Sequence, residues 1–193
     1  MICRFHAIAT EGEINEAALF PAGPRGSSPD LQRISMLSTS LQLTKIWFDE
    51  FLSLPPSECS MVAFPTYSQL AYFTVVLYRL STLDDPHWDK AAVRHTYDAL
   101  QLLDALTAKM AQVAAASGII SDRPDGDTFT KTSKAIEPIK AAWEPVLTQT
   151  QGREKSAGVP FEPNVLDNFS FDVADGLNGW LTDMFTPGWD SMP

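Results

Sequence analysis

Leu80-Ser81-Thr82-Leu83-Asp84-Asp85-Pro86-His87-Trp88-Asp89 separates two stretches of helical periodicity, and its reading decides the fold. Upstream, Leu70, Phe73, Val76, Leu77 and Leu80 recur at three- and four-residue spacing behind Pro65, whose fixed φ suits a first helical turn. Ala71, Tyr72 and Val75 fill the flanks, which leaves little polar face and predicts a helix buried on most sides. Downstream, Val93, Tyr97, Leu100, Leu103, Leu106, Met110 and Val113 form one apolar stripe, with Asp89 as N-cap and Gly118 placed for a left-handed C-cap. The spacing predicts a single helix between those two caps. The decapeptide then reads as a turn in which Leu83, Asp84, Asp85, Pro86, Trp88 and Asp89 shape the connection and cap the helix ends.

Working outward, Ser28-Pro29-Asp30 is a helix start, and Leu31, Ile34, Leu37, Leu41, Phe48 and Phe51 carry the period onward. A helix over 29–53 is expected, stopped at Pro55 and Pro56, with Cys59 and Met61 in the loop that follows. Before it, Pro21, Gly23, Pro24, Gly26 and Ser27 favour turns, so residues 1–28 read as a flexible leader. Beyond a turn at Arg123 to Asp127, Phe129, Ile136, Ile139, Trp143, Val146 and Leu147 predict a fourth helix, which Pro138 and Pro145 should kink or interrupt. The expected fold is all-α, a bundle of about four to five helices, with a helical domain over 29–150 and a linker and acidic aromatic segment over 151–193.

The chain has 193 residues, a formal net charge of -10 and a pI near 4.6. Arg4, Arg25, Arg33, Lys45, Arg79, Lys90 and Arg94 are scattered, so direct nucleic-acid binding by this chain alone is not expected. Cys3 and Cys59 define neither a disulfide framework nor a zinc site. The N-terminus lacks the long apolar core of a secretory signal, and Leu70 to Leu80, interrupted by Arg79, is too short to span a bilayer. An intracellular protein without membrane partners is expected.

Asp84, Asp85, His87 and Asp89 form the densest polar constellation and could in principle hold a divalent metal or act as acid and base. All four lie in one hexapeptide, whereas such sites usually draw on several elements, so the structural reading is preferred. His6 and His95 are isolated, Cys3 with His6 supplies at most two ligands, and no Gly-rich phosphate loop, nucleophile elbow or His-Glu-x-x-His pair occurs. No catalytic, metal or cofactor-binding residue is therefore assigned, and no cofactor is expected. Tyr72, Phe73, Tyr97 and Leu100 could line a pocket for a small-molecule effector, or be core. The C-terminal segment has two readings. Its carboxylates and aromatics suit a solvated activation-type segment, while Leu177, Trp180, Leu181, Met184 and Phe185 suit a short amphipathic helix docked on the core.

Phe64-Pro65-Thr66-Tyr67-Ser68-Gln69-Leu70, the stretch Leu80 to Asp89, Phe51-Leu52-Ser53-Leu54-Pro55-Pro56 and the closing Trp180-Leu181 and Trp189-Asp190 together resemble the regulatory domain of fungal zinc-cluster transcription factors. The resemblance is clearest from Leu31 to Ala116. It implies an all-helical domain that acts in the nucleus through protein partners such as a transcription factor or coactivator, in control of secondary-metabolite or nutrient genes. The family's DNA reader needs six closely spaced cysteines around two zinc ions and a basic linker, and these are absent from this sequence.

Overall fold

Asp30 opens the helix that carries the aromatic core: its side chain accepts from the amide of Arg33 at 3.1 Å, capping α2, Leu31–Ser53. The computed structural model describes residues 2–20, 30–62, 64–117 and 128–153, and every regular element among them is helical. The other elements, in chain order, are α1 (Ile2–Asn15) with a 3₁₀ turn at Glu16–Leu19, the short α3 (Pro56–Cys59), α4 (Phe64–Thr82), α5 (Lys90–Thr96), α6 (Ala99–Ser117) and α7 (Thr128–Arg153). Ser28, Gly118, the turn at Arg123 to Asp127 and the acidic aromatic segment lie outside the described residues, apart from the end of α7. Contacts divide the chain into two compact units, Met1–Leu102 and Leu103–Pro193.

In the first unit α2 and α4 meet through rings. Trp47 is fully buried, stacked on Phe51 at 5.3 Å and tilted against Phe5 and Phe73 at 5.2 and 5.3 Å. Leu70, Phe73, Leu77 and Leu80 on α4 are all 2% exposed or less, the burial on most sides that its sparse polar face predicts. Cys59 is buried on α3 rather than in an open loop, and its carbonyl accepts from the Tyr67 hydroxyl at 2.7 Å. Burial pushes that phenol well above its ordinary pKa, as does the neighbouring Cys59.

The flexible leader expected over 1–28 needs correction where it is described. Residues 2–19 are helical, and Phe5, Ile8, Ala9, Ala18 and Leu19 are buried. The misreading came from the Pro- and Gly-rich stretch that begins at Pro21; ahead of it, Phe5, Ile8, Ala9 and Gly12 recur at three- and four-residue spacing and share a face. Arg4 pairs with Glu50, Phe5 meets Trp47, and the Ala18 carbonyl accepts from Arg33 Nε at 2.9 Å, so α1 runs antiparallel to α2.

Gly12 sets how closely α1 approaches α4. A Cβ there would lie 3.2 Å from the Phe73 ring, which Trp47 and Phe48 hold in place. Gly12→Ala is expected to destabilise by about 1 kcal/mol, because overpacking of about 1–3 kcal/mol outweighs the roughly 1 kcal/mol helix-propensity gain of alanine. Urea denaturation would check it; a stabilised variant would show that the ring can move aside.

The single helix expected between Asp89 and Gly118 is in fact two. Tyr97 is extended (φ -159, ψ 108), and Asp98 caps α6 through bonds from the amides of Leu100 and Gln101 at 2.9 and 3.0 Å. The apolar period survives the break, which is why sequence spacing alone runs the two segments together.

The second unit pairs α6 beyond Leu102 with α7. Ser133 Oγ donates to the Thr107 carbonyl at 3.3 Å and Lys140 pairs with Asp104, so these helices are antiparallel. Leu103, Leu106, Met110 and Val113 face inward on one helix, and Phe129, Ile136, Trp143 and Leu147 on the other. Pro138 and Pro145 lie inside α7 without ending it. Both are exposed, as are Lys134 and Ala141 four residues earlier, so the carbonyls each proline deprives of a partner are open to water.

Candidate regulatory site: the acidic turn and the aromatic cluster

The turn between α4 and α5 is built from the top of one helix to the cap of the next. Among the last carbonyls of α4, that of Leu80 accepts from Trp88 Nε1 at 2.9 Å, so the indole closes the helix end while the ring stays half-buried. The Trp88 amide donates to the Asp85 carbonyl at 3.1 Å, closing a tight turn over Pro86 and His87. Asp89 then accepts from the amides of Ala91 and Ala92 at 2.9 and 3.0 Å, capping α5 as its position predicts.

Asp85 is the hub. One oxygen accepts from the His87 amide at 2.8 Å, the other from the guanidinium of Arg33. Arg33 and Asp85 side chains are 11% and 16% exposed, so the pair is shielded over most of its surface. Burial pushes the Asp85 carboxyl up, but the His87 amide and the Arg33 guanidinium outweigh it and leave the pKa below the ordinary carboxylate value. Arg33 Nε also holds the Ala18 carbonyl, so one side chain ties the 3₁₀ turn, α2 and the acidic turn together.

The remaining members of the polar constellation do not converge. Asp84, His87 and Asp89 are exposed, and Leu83 is half-buried. His87 Nδ1 lies 3.5 Å from Asp85, the nearest approach to a catalytic-looking pair, but the same carboxylate is already engaged by Arg33 and the turn backbone. Among the described residues no group of three or more His, Cys, Asp and Glu is placed to hold a metal ion. His6 is not isolated: its Nδ1 meets Gln69 Nε2 at 2.8 Å.

Trp88→Phe removes the indole donor and leaves the Leu80 carbonyl short of it. A loss of about 1 kcal/mol is expected, the net worth of an ordinary hydrogen bond. Equilibrium unfolding of the full chain measures it, and an unchanged midpoint would show that water replaces the indole without cost.

The structure brings three of the four candidate pocket residues to one ring cluster. Tyr72 and Phe73 meet edge-on at 5.1 Å, Phe73 contacts Phe48 at 6.5 Å, and Tyr97 stacks against Phe48 at 6.1 Å. Phe73 is buried, whereas Tyr72, Tyr97 and Leu100 are half-buried. Burial pushes the Tyr97 phenol up, reinforced by the Asp49 carboxylate that accepts its proton in a hydrogen bond. Lys45 sits 5.6 Å from the Tyr97 ring centroid. Phe48, Lys45 and Asp49 are what sequence reasoning missed here, as it missed Arg33. All four lie on α2, far along the chain from their partners, and the one local signal was that Arg33 shares a helix face with Leu37 and Leu41.

No helix among the described residues is long and apolar enough to cross a membrane. The family model ATEG07667_C, described as a C-terminal domain, matches residues 56–190. Over 140 residues the chain is 36% identical to "Transcription factor opdL" of Penicillium oxalicum, which covers 72% of this chain and 24% of that protein. It is 34% identical over 85 residues to a protein of Aspergillus terreus named "Transcription factor", covering 44% of this chain and 14% of the other. The chain thus matches about a quarter or less of the length of these two relatives. No solved structure matches. The matched span contains α3 to α7 and the acidic turn, and on that ground the chain belongs to the ATEG07667_C family, a C-terminal domain shared with fungal transcription factors.

Proposed function

We propose that the chain is a transcription-regulatory domain that works in the nucleus through protein contacts rather than through DNA or catalysis. The observation that carries this reading is the family match over 56–190 together with relatives named as transcription factors. The chemistry is compatible with it. The carboxylates of Asp85 and Asp89 are engaged in the Arg33 pair and in capping, which is structural work, and the net charge of -10 repels a phosphate backbone. The regulated genes, on this reading, are those of a pathway such as secondary metabolism.

Two measurements test it. Fused to an unrelated DNA-binding domain, the full chain should raise or lower a reporter, and the purified chain alone should not bind duplex DNA specifically. Specific submicromolar DNA binding by the chain would overturn the protein-contact reading, and a silent fusion would remove its support for regulation.

A further inference from the structure

Thr96-Tyr97-Asp98-Ala99 breaks a helix without glycine or proline, the residues that ordinarily end one. Val93, Tyr97, Leu100 and Leu103 keep helical spacing straight across it. In an unbroken helix the amides of Leu100 and Gln101 would donate to the carbonyls of Thr96 and Tyr97; here the Asp98 carboxylate takes both, at 2.9 and 3.0 Å. These two bonds are exchanged one for one, so the Asp98 cap offsets part of what the break costs, while an unbroken helix would also pair the amides of Asp98 and Ala99 with the carbonyls of Arg94 and His95.

The difference is made by α2. Phe48 stacks on the Tyr97 ring with 12° between planes, Lys45 sits over that ring, and Asp49 accepts from its hydroxyl. An extended Tyr97 is what these three contacts hold. Lys45 and Asp49 also pair with each other, and their side chains are 39% and 49% exposed. The polar half of the clasp therefore faces solvent, where salt and substitution can weaken it without disturbing the core.

We infer that Tyr97–Asp98 is a two-state hinge: Phe48, Lys45 and Asp49 clasp Tyr97 and hold α5 and α6 apart, and opening the clasp fuses them into one helix from Lys90 to Ser117. The device is independent of what the domain regulates.

Backbone ¹³C chemical shifts of Tyr97 and Asp98 in the labelled full chain read the hinge directly. The clasp variant Lys45→Ala/Asp49→Ala leaves the sequence from 90 to 117 untouched and alters two exposed positions, so the fold is kept. Both shifts should move from extended toward helical values in it, and fully so in Tyr97→Leu/Asp98→Ala. In the unmodified chain, added salt should produce a smaller movement in the same direction, because exposed charges are screened. Shifts that stay extended in both variants and in salt would overturn the hinge. So would movement of Lys90 to Thr96 to random-coil values, since that would mean α5 unfolds instead of fusing.

Discussion

Replacing Trp47 with alanine should remove about 3–5 kcal/mol of stability, the range for deleting a large aromatic from a packed core. Its indole is fully buried and contacts Phe5 on α1, Phe48 and Phe51 on its own helix, and Phe73 on α4. Each neighbour is itself 1% exposed or less, so none is free to fill the space, and collapse around the void is poor. The indole nitrogen adds a bond to Gln69 Oε1 at 3.4 Å, a long contact that contributes little. At about 2–4 °C per kcal/mol for a chain of this size, the melting temperature should fall by roughly 6–20 °C. Amides of Ile2 to Leu19 should lose protection first, because α1 meets this cluster through Phe5 and Gly12. Urea unfolding with amide exchange would check both effects; a loss under about 1 kcal/mol would mean the cluster is not the centre of the core.

Trp47 also marks where the sequence was and was not legible. The positions of α2 and α4 followed from period and proline alone, and the Asp89 cap from one side chain at the right place. Those signals are local, so they survive without knowledge of the fold. Trp47 fits α2 but falls between the residues that carry its most regular stripe, Leu37, Leu41, Phe48 and Phe51. Its importance comes from helices on two sides, which a single-face pattern does not register. The helix at Ile2–Asn15 was hidden for a related reason, since the glycines and prolines after it outweighed a short apolar face. The break at Tyr97 was hidden because its cause lies on α2, about 50 residues earlier, and the proline-containing α7 was undervalued because exposure of Pro138 and Pro145 is a tertiary fact. The acidic turn was legible as a turn with a cap. That its central carboxylate is matched by Arg33, 52 residues away, was not.

Arg33→Met tests that pairing and should cost about 2 kcal/mol near neutral pH. Methionine keeps the apolar stem, so the loss isolates the guanidinium, which donates to both Asp85 and the Ala18 carbonyl. Charge-assisted hydrogen bonds contribute about 1.5–3 kcal/mol when shielded, and an Asp85 side chain only 16% exposed is left charged without its partner. The loss should carry a pH signature that a purely steric defect lacks. In the native protein the Asp85 pKa lies below its ordinary value, despite burial, because the His87 amide and Arg33 favour the charged form. Stability from that shift is fully present above the unfolded value of about 3.9 and is lost as pH falls through the lower folded value. Without Arg33, burial is opposed mainly by the His87 amide, so the folded pKa rises and the contribution shrinks. The stability gap between the native chain and the variant should therefore be widest above about pH 5 and narrow steadily on acidification. Asp85→Asn should also cost stability near neutral pH and should flatten the same acid limb. Urea titrations at several pH values would show the convergence, whereas a gap that stays constant down to the acid limit would mean that Arg33 acts through its packing and its bond to Ala18 alone.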